Sequence, residues 1–256
     1  MTVDSAVDRL SQLIAQAERI LCFTGAGVST ASNIPDYRGP QGVWHARAPV
    51  YYRDFLASAD ARVEYWSFKL EGFPAFRDAL PNRAHHALVA LHRAGKLCCL
   101  VTQNIDGLHA ASGAPADKLI ELHGTGREAT CLGCSRRETM DACLERFERT
   151  QEPPRCTACA ELMKPAVVMF GEGLVSGDLA RAHAAARVCD LVLSLGSSLT
   201  VTPAADVPLA AARRGIPYVI VNRGTTPHDA LADLTIDDDV GSVLARALAP
   251  LGLELV

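Results

Sequence analysis

Two glycines and several polar side chains follow the first apolar run of the chain. Residues 20–23 are Ile-Leu-Cys-Phe, and Gly25, Ala26, Gly27 and Ser29 come directly after them. Glycines at the end of a strand allow the backbone to approach a pyrophosphate, and the N–H groups of a following helix favour its negative charge. The third glycine of the usual dinucleotide fingerprint is missing, so this spacing alone is weak evidence.

The segment after this loop carries three side chains suited to binding or catalysis. Asp36, Tyr37 and Arg38 place a carboxylate, a phenol and a guanidinium within a few residues of the glycines. A surface ion pair between Asp36 and Arg38 would contribute little to stability, and a plain turn does not require this set. The combination favours a phosphate-containing ligand over a purely structural loop.

Four cysteines form two Cys-x2-Cys pairs separated by 21 residues. Each pair can present two sulfurs from one tight turn, which suits tetrahedral coordination of zinc. Four thiolates leave no position open for water or substrate, so we predict one structural zinc ion. Arginines and acids are balanced between the pairs, which argues against a nucleic-acid-binding zinc ribbon. The predicted ligands are Cys131, Cys134, Cys156 and Cys159.

His123 is our candidate for a general base. It lies in the sequence Glu-Leu-His-Gly-Thr, eight residues before the first predicted zinc ligand, where a sheet would join an insertion. A cleft at such a junction is a common ligand site, and the ordinary pKa of histidine suits proton transfer near neutral pH. A lone histidine is more often structural, and His109 could have either role.

Strand-like and helical patterns alternate along the chain. Strands are predicted at residues 20–23, 97–102, 167–170, 191–195 and 218–221, with helices at residues 85–94, 179–188 and 204–214. This order predicts an α/β fold with a Rossmann-like parallel sheet. Ligands bind beyond the carboxyl ends of the strands in such sheets. Asn and Asp at such positions often only form turns. We nevertheless predict that the clusters at these strand ends form one ligand site. They are Gln103, Asn104, Ile105 and Asp106; Gly196, Ser197 and Ser198; Asn222 and Arg223.

Two stretches interrupt the alternation. Residues 40–81 are rich in aromatic side chains with helical character, and residues 127–164 contain the predicted zinc ligands. We interpret both as one smaller lobe, made of a helical insertion and a four-cysteine zinc module. Residues 1–39, 82–126 and 165–256 would then form the Rossmann-like, ligand-binding domain.

The composition limits the class of protein. The 256 residues are 49% apolar and 21% charged, with a net charge of −4. These values predict a globular fold and argue against general affinity for nucleic acid. There is no apolar run of 18 residues to suggest a membrane span, and the first residues do not resemble a signal peptide. Nine cysteines, an odd number, suit a reducing cytoplasm better than a disulfide framework.

In their order along the chain, these motifs resemble those of the sirtuins, the NAD-dependent protein lysine deacylases. The resemblance covers essentially the whole chain and is specific, and it is closest to a minimal, bacterial-type catalytic core. It rests on residues 25–29, 34–39, 103–109 and 123–124, both Cys-x2-Cys pairs, and residues 167–172, 196–204 and 221–222.

The resemblance implies a role for each matching residue. The loop 25–29, Ser197 and Ser198 would hold the NAD phosphates, and Asn222 would hold the adenosine ribose. Asn104 and Asp106 would act in the nicotinamide pocket beside the base. Further NAD contacts would come from Asp36, Tyr37, Arg38, Gln103, Ile105, Gly196, Arg223 and Val240, and acyl-lysine contacts from Val168, Phe170, Gly171 and Glu172.

The implied reaction is an acyl transfer that consumes NAD. The amide oxygen of acyl-lysine attacks the ribose carbon as nicotinamide leaves, and His123 then deprotonates a ribose hydroxyl that takes over the acyl group. The products are lysine, nicotinamide and O-acyl-ADP-ribose. The implied partners are acylated-lysine proteins or peptides that add to a sheet edge, without nucleic acid or membrane; the oligomeric state does not follow from the sequence.

A deacetylase is the favoured function, and two alternatives stay open. One is a protein mono-ADP-ribosyltransferase, which residues alone do not separate from a deacylase. The other is a non-catalytic NAD-binding sensor, against which the intact set of Asn104, Asp106 and His123 argues. Trp66 and Lys69 stand where the desuccinylase-like branch carries Tyr and Arg, so a preference for acidic acyl groups is not implied.

Overall fold

A computed structural model of the chain describes residues 2–36 and 48–255. Its helices are α1 (Val3–Gln16), α2 (Tyr52–Ala57), α3 (Ala59–Asp78), α4 (Arg83–Arg93), α5 (Leu108–Ala111), α6 (Met140–Thr150), α7 (Ser176–Val188), α8 (Asp206–Ala212) and α9 (Val240–Leu248). Its strands are β1 (Ile20–Thr24), β2 (Leu97–Thr102), β3 (Leu119–Glu121), β4 (Gly124–Cys131), β5 (Arg137–Thr139), β6 (Met163–Val167), β7 (Leu191–Leu195), β8 (Tyr218–Val221) and β9 (Leu234–Ile236). No helix in these ranges is long and apolar enough to cross a membrane.

Six parallel strands form the main sheet, in the order β3-β2-β1-β7-β8-β9. Every residue of β1, β7 and β8 is buried, as expected for strands that are covered on both faces. One hydrophobic core lies between the sheet and α1, α4 and α9, and another lies between the sheet and α7 and α8. The prediction of a Rossmann-like α/β fold is confirmed.

One predicted strand is wrong. The apolar run at residues 167–170 was expected to join the parallel sheet, but the strand is β6, and it pairs antiparallel with β4 in a second sheet of three strands. Only Val167 of the run belongs to β6, and the next residues form a loop. The run is apolar because Val167 and Met169 are both buried, and burial alone does not distinguish a strand from a packed loop.

A third hydrophobic core fills the smaller lobe. Aromatic side chains of α2 and α3 pack there against β4, α6 and β6. Trp66 is 0% exposed, and its ring centroid lies 6.4 Å from that of Phe147. Ser58 begins α3 by accepting a hydrogen bond from the N–H of Ala61, which satisfies one of the N–H groups left unpaired at a helix start. The lobe is therefore assembled from two separate stretches of chain.

Candidate active site

A cavity of about 440 Å³ lies beyond the carboxyl ends of β1, β2, β7 and β8. This volume is within the range of small-molecule sites. All four polar clusters that follow these strands line the cavity, together with the loop after β6. The predicted site residues in its wall are Gly25, Ala26, Gly27, Asp36, Gln103, Asn104, Ile105, His123, Val168, Phe170, Gly171, Glu172, Gly196, Ser197, Ser198, Asn222 and Arg223.

The glycines after β1 pack directly against the glycine after β7. The N–H of Gly27 donates to the carbonyl of Gly196 at 2.8 Å, and a Cβ atom added to Gly27 would lie 2.8 Å from the Cα of Gly196. Gly196 has a φ of +58°, which glycine adopts without steric penalty. The two loops therefore meet backbone to backbone, leaving no space for side chains at this point of the wall.

A network of buried polar groups supports the wall between β1 and β2. Asn104 donates from Nδ2 to the carbonyl of Gly25 at 3.1 Å and to Oγ of Ser29 at 3.2 Å. Ser29 in turn donates to the Asp106 carboxylate at 2.7 Å, which also accepts the N–H of Leu108 at 2.9 Å. Buried polar networks that are fully hydrogen-bonded fix a single arrangement. The amide of Asn104 is thus held in a defined orientation at the cavity.

His123 faces the same cavity from the turn between β3 and β4. Its Nδ1 lies 2.9 Å from the carbonyl oxygen of Gln103. A carbonyl oxygen only accepts, so Nδ1 carries the proton, and the lone pair of the neutral ring is on Nε2. This tautomer is the one that lets Nε2 remove a proton from a bound group.

The loop after β6 is anchored beside this histidine. The N–H of Val168 donates to the backbone carbonyl of His123 at 2.9 Å, and the N–H of Tyr52 donates to the carbonyl of Phe170 at 2.9 Å. The ring of Phe170 lies 6.0 Å from that of Tyr51. The candidate base and the candidate substrate loop are therefore joined by main-chain hydrogen bonds.

Several predicted site residues lie elsewhere. Ser29 and Asp106 are buried in the network behind the wall and are not among the residues that line the cavity. Val240 is 4% exposed and packs in the core beneath the sheet. Tyr37 and Arg38 fall outside the described residues.

His109, whose role the sequence left open, is also buried away from the cavity. Its Nε2 is hydrogen-bonded to Oγ1 of Thr24 at 2.9 Å, and its ring lies 4.8 Å from that of His85. Burial and the neighbouring His85 lower the pKa of His109 well below its ordinary value. It is thus placed as a neutral structural residue.

The helical insertion contributes to the cavity, which the sequence pattern did not show and which only the resemblance at positions 66 and 69 suggested. Tyr65, Phe68 and Lys69 of α3 line it, whereas Trp66 is turned into the core of the small lobe. A helix that shares a wall with the sheet gives no local sequence signal here, since α3 buries only Tyr65, Trp66 and Phe73, which form no clear stripe along the helix.

Lys69 is a half-buried cation in this wall. Its Nζ lies 5.3 Å from the ring centroid of Tyr65 and 5.6 Å from that of Phe68, and the structure gives it no ion pair with any residue in the described ranges. Loss of hydration in the cavity wall and the nearby Lys164 ammonium lower the pKa of Lys69 to about 8. This value is below the pKa of about 10.4 in an unfolded chain.

We expect Lys69→Met to stabilise the protein by about 1–3 kcal/mol at pH 7, since solvent screening reduces the full effect of the pKa shift. The direction of this effect follows from the lowered pKa of Lys69. Below pH 8 the side chain is charged in the folded protein, and burial of this charge lowers stability. This cost decreases as the pH rises from 8 towards the pKa of lysine in the unfolded chain. Urea unfolding at pH 7 and at pH 9.5 measures the gain, which should shrink at the higher pH. Lys69→Arg, which keeps the charge, is the matched control, and equal stability of the two variants would contradict the prediction.

The four predicted zinc ligands form one cluster. Their Sγ atoms all lie within 4.8 Å of one another. The N–H groups of Gly133 and Cys134 donate to Sγ of Cys131 at 3.3 and 3.4 Å, and the second of these bonds is the main cause that lowers the pKa of Cys131 to about 6. The N–H donors favour the thiolate of Cys131, the form that binds zinc. Contact with the other three sulfurs instead raises the pKa of Cys159 to about 12, as expected for four thiols that converge and would share one cation. The residues therefore fit a closed, structural zinc site.

Comparisons with known proteins agree with this arrangement. The family model described as the Sir2 family matches residues 25–203. The "NAD-dependent protein deacetylase" of Rhodopseudomonas palustris is 44% identical over 243 residues, which cover 95% of this chain and 96% of that protein. A solved Sir2 complex with deacetylated p53 peptide and 3′-O-acetyl-ADP-ribose has a TM-score of 0.89 and 37% identity, and covers 96% of this chain and 98% of that one. The structure described as "Sir2-p53 peptide-NAD+" has a TM-score of 0.88 and 35% identity, and the match covers 97% of this chain and 99% of that one.

Proposed function

The chain belongs to the Sir2 family, and we propose that it is an NAD-dependent protein lysine deacylase, with acetyl-lysine as its favoured substrate. NAD is consumed as a co-substrate, and the acyl group passes from lysine to ADP-ribose. The activity is therefore that of a transferase acting on acylated proteins or peptides. A relative of nearly the same length carries the name of this activity.

The observation that carries the proposal is the geometry at His123. The hydrogen bond to Gln103 places the proton on Nδ1, so that Nε2 is the basic atom, and the same cavity is lined by Asn104 and by the loop after β6. A non-catalytic sensor would not require a histidine with a basic Nε2 atom beside the loop after β6. Acyl transfer to a ribose hydroxyl requires such a base.

We assign the remaining roles from the positions in the cavity. The interlocked loops around Gly27 and Gly196 would hold the phosphates, because glycines in the wall let backbone groups approach them, with Ser197 and Ser198 beside them. Gln103, whose Nε2 donates to Oγ of Ser197 at 2.8 Å, links this part of the site to the base. Asn104 would face the nicotinamide end, and Asn222 the adenosine end. When bound, NAD supplies the electrophilic ribose carbon and the leaving nicotinamide.

The chain also divides into a larger and a smaller domain in our proposal. We propose that residues 40–81 and 127–164 form the smaller domain, which the separate core of the small lobe supports.

We also propose a cytoplasmic location. None of the nine cysteines forms a disulfide, as is usual in a reducing compartment.

Mass spectrometry of one reaction tests the function. Purified protein is incubated with NAD and a panel of acetyl-, succinyl- and long-chain acyl-lysine peptides. We expect the deacetylated peptide, nicotinamide and O-acetyl-ADP-ribose in equal amounts, with the acetyl peptide preferred. ADP-ribose attached to protein without release of lysine would replace the proposal with a mono-ADP-ribosyltransferase, and binding of NAD without turnover of any peptide would contradict it.

A further inference from the structure

Lys164 is a buried lysine that has no place in the chemistry above. It lies on β6 and is 4% exposed. Its Nζ donates to the carbonyl of Val167 at 2.6 Å and to Oε2 of Glu172 at 2.9 Å. Burial of an ammonium ion costs several kcal/mol unless it is paired and hydrogen-bonded, and an apolar replacement is often as stable. Stability alone therefore does not explain a lysine at this position.

Glu172 is turned back into its own loop. Besides the bond from Lys164, its Oε2 accepts the N–H of Met169 at 2.9 Å. The ion pair thus fixes the loop at three points, which are the carbonyl of Val167, the N–H of Met169 and the side chain of Glu172. The carboxylate of Glu172, which the resemblance implied as a substrate contact, therefore forms hydrogen bonds within its own loop.

The same ammonium also contacts the segment on the other side of the loop. Nζ of Lys164 lies 5.6 Å from the ring centroid of Tyr52, within the range of a cation–π contact. Tyr52 is the residue whose N–H donates to the carbonyl of Phe170. Lys164 therefore lies between the two attachments of the loop, one through Glu172 and one through Tyr52.

We propose that Lys164 is a positioning residue for the acylated peptide, acting through Glu172. It holds residues 167–172 in the shape that presents their backbone to the substrate, and the bond from Val168 to the carbonyl of His123 keeps that backbone in register with the base. The inference rests on the proposed deacylase function. It predicts that the pair governs affinity for the peptide and not affinity for NAD.

The test is steady-state kinetics of Lys164→Met with NAD and an acetyl-lysine peptide as separately varied substrates. We expect KM for the peptide to rise about 10- to 100-fold, the effect of losing one or two hydrogen bonds to the peptide backbone, while kcat and KM for NAD stay nearly unchanged, as a loss of uniform peptide binding requires. Lys164→Arg, which keeps the charge, should restore most of the loss. Lys118→Met is the matched control, because Lys118 also donates to a backbone carbonyl, but that carbonyl belongs to Leu97 of the main sheet and not to the loop 167–172.

Glu172→Gln keeps the inference testable if Lys164→Met does not fold, and it should raise the same KM. The double variant should raise KM by less than the product of the two single effects, because both single variants already remove the Lys164–Glu172 pair. Unchanged peptide KM in a folded variant, or equal increases for peptide and NAD, would overturn the role of Lys164. Failure of the wild-type protein to act on any acyl peptide would instead overturn the proposed function.

Discussion

Replacing His123 with alanine is expected to lower the rate of O-acetyl-ADP-ribose formation by about 10²–10⁴-fold, the usual contribution of a general base. The hydrogen bond from Nδ1 to Gln103 leaves Nε2 as the only basic atom of the ring, and alanine supplies no substitute. Binding of NAD should change little, since the loops around Gly27 and Gly196 do not depend on this side chain. Turnover by mass spectrometry and NAD binding by calorimetry measure the two effects separately.

The control for this prediction is His183→Ala, a half-buried histidine on α7 that does not line the cavity. It should retain turnover close to that of the wild-type protein. If His123→Ala kept deacetylation at a near wild-type rate, the assignment of the base would be wrong. A loss of NAD binding equal to the loss of turnover would point to a damaged cavity and not to a missing base.

Removal of zinc is expected to unfold the small lobe. Structural zinc in small domains contributes an apparent binding free energy of about 10–16 kcal/mol at pH 7, which equals or exceeds the whole stability of most domains. The four cysteines lie on the two ends of a segment whose core is shared with α2 and α3, so the loss should spread to the wall of the cavity that contains Lys69. Circular dichroism and metal analysis before and after a strong chelator measure this result.

Cys131→Ser removes one of the four proposed zinc ligands by mutation and should lower both zinc content and melting temperature. Cys98→Ser, on β2 of the main sheet, removes a thiol outside the cluster and should leave both unchanged. Active protein that contains no zinc would contradict the structural role of the cysteines.

The sequence predicted those features that follow from local pattern. β2, β7 and β8 are continuous apolar runs, and the predicted bounds agree with the structure because each run ends at a polar cluster. The cysteine cluster followed from spacing alone, since two Cys-x2-Cys pairs have few other uses. The gathering of the strand ends around one cavity followed from the topology of parallel sheets.

Features that depend on packing between distant segments were not predictable in this way. β3 and β9 have three residues each, too few to show a period. The placement of Lys69 in the cavity and of Trp66 in the core depends on the rotation of α3 against the zinc module, which the residue pattern of α3 does not show; only the resemblance had suggested that these two positions face the acyl group. The hydrogen bonds that tie Lys164 to the loop after β6 likewise join groups whose types, taken singly, suggest only an exposed ion pair.

The central position of β1 has a consequence for biosynthesis. Its neighbours in the sheet are β2 and β7, and Ile20 lies opposite Leu191. At translation rates of about 5–20 residues per second, β7 emerges from the ribosome roughly 10–30 seconds after β1. During that interval a largely apolar strand has an unpaired edge, which is a site for aggregation. Nascent chains of this protein should therefore depend on chaperones until residue 195 has been synthesised.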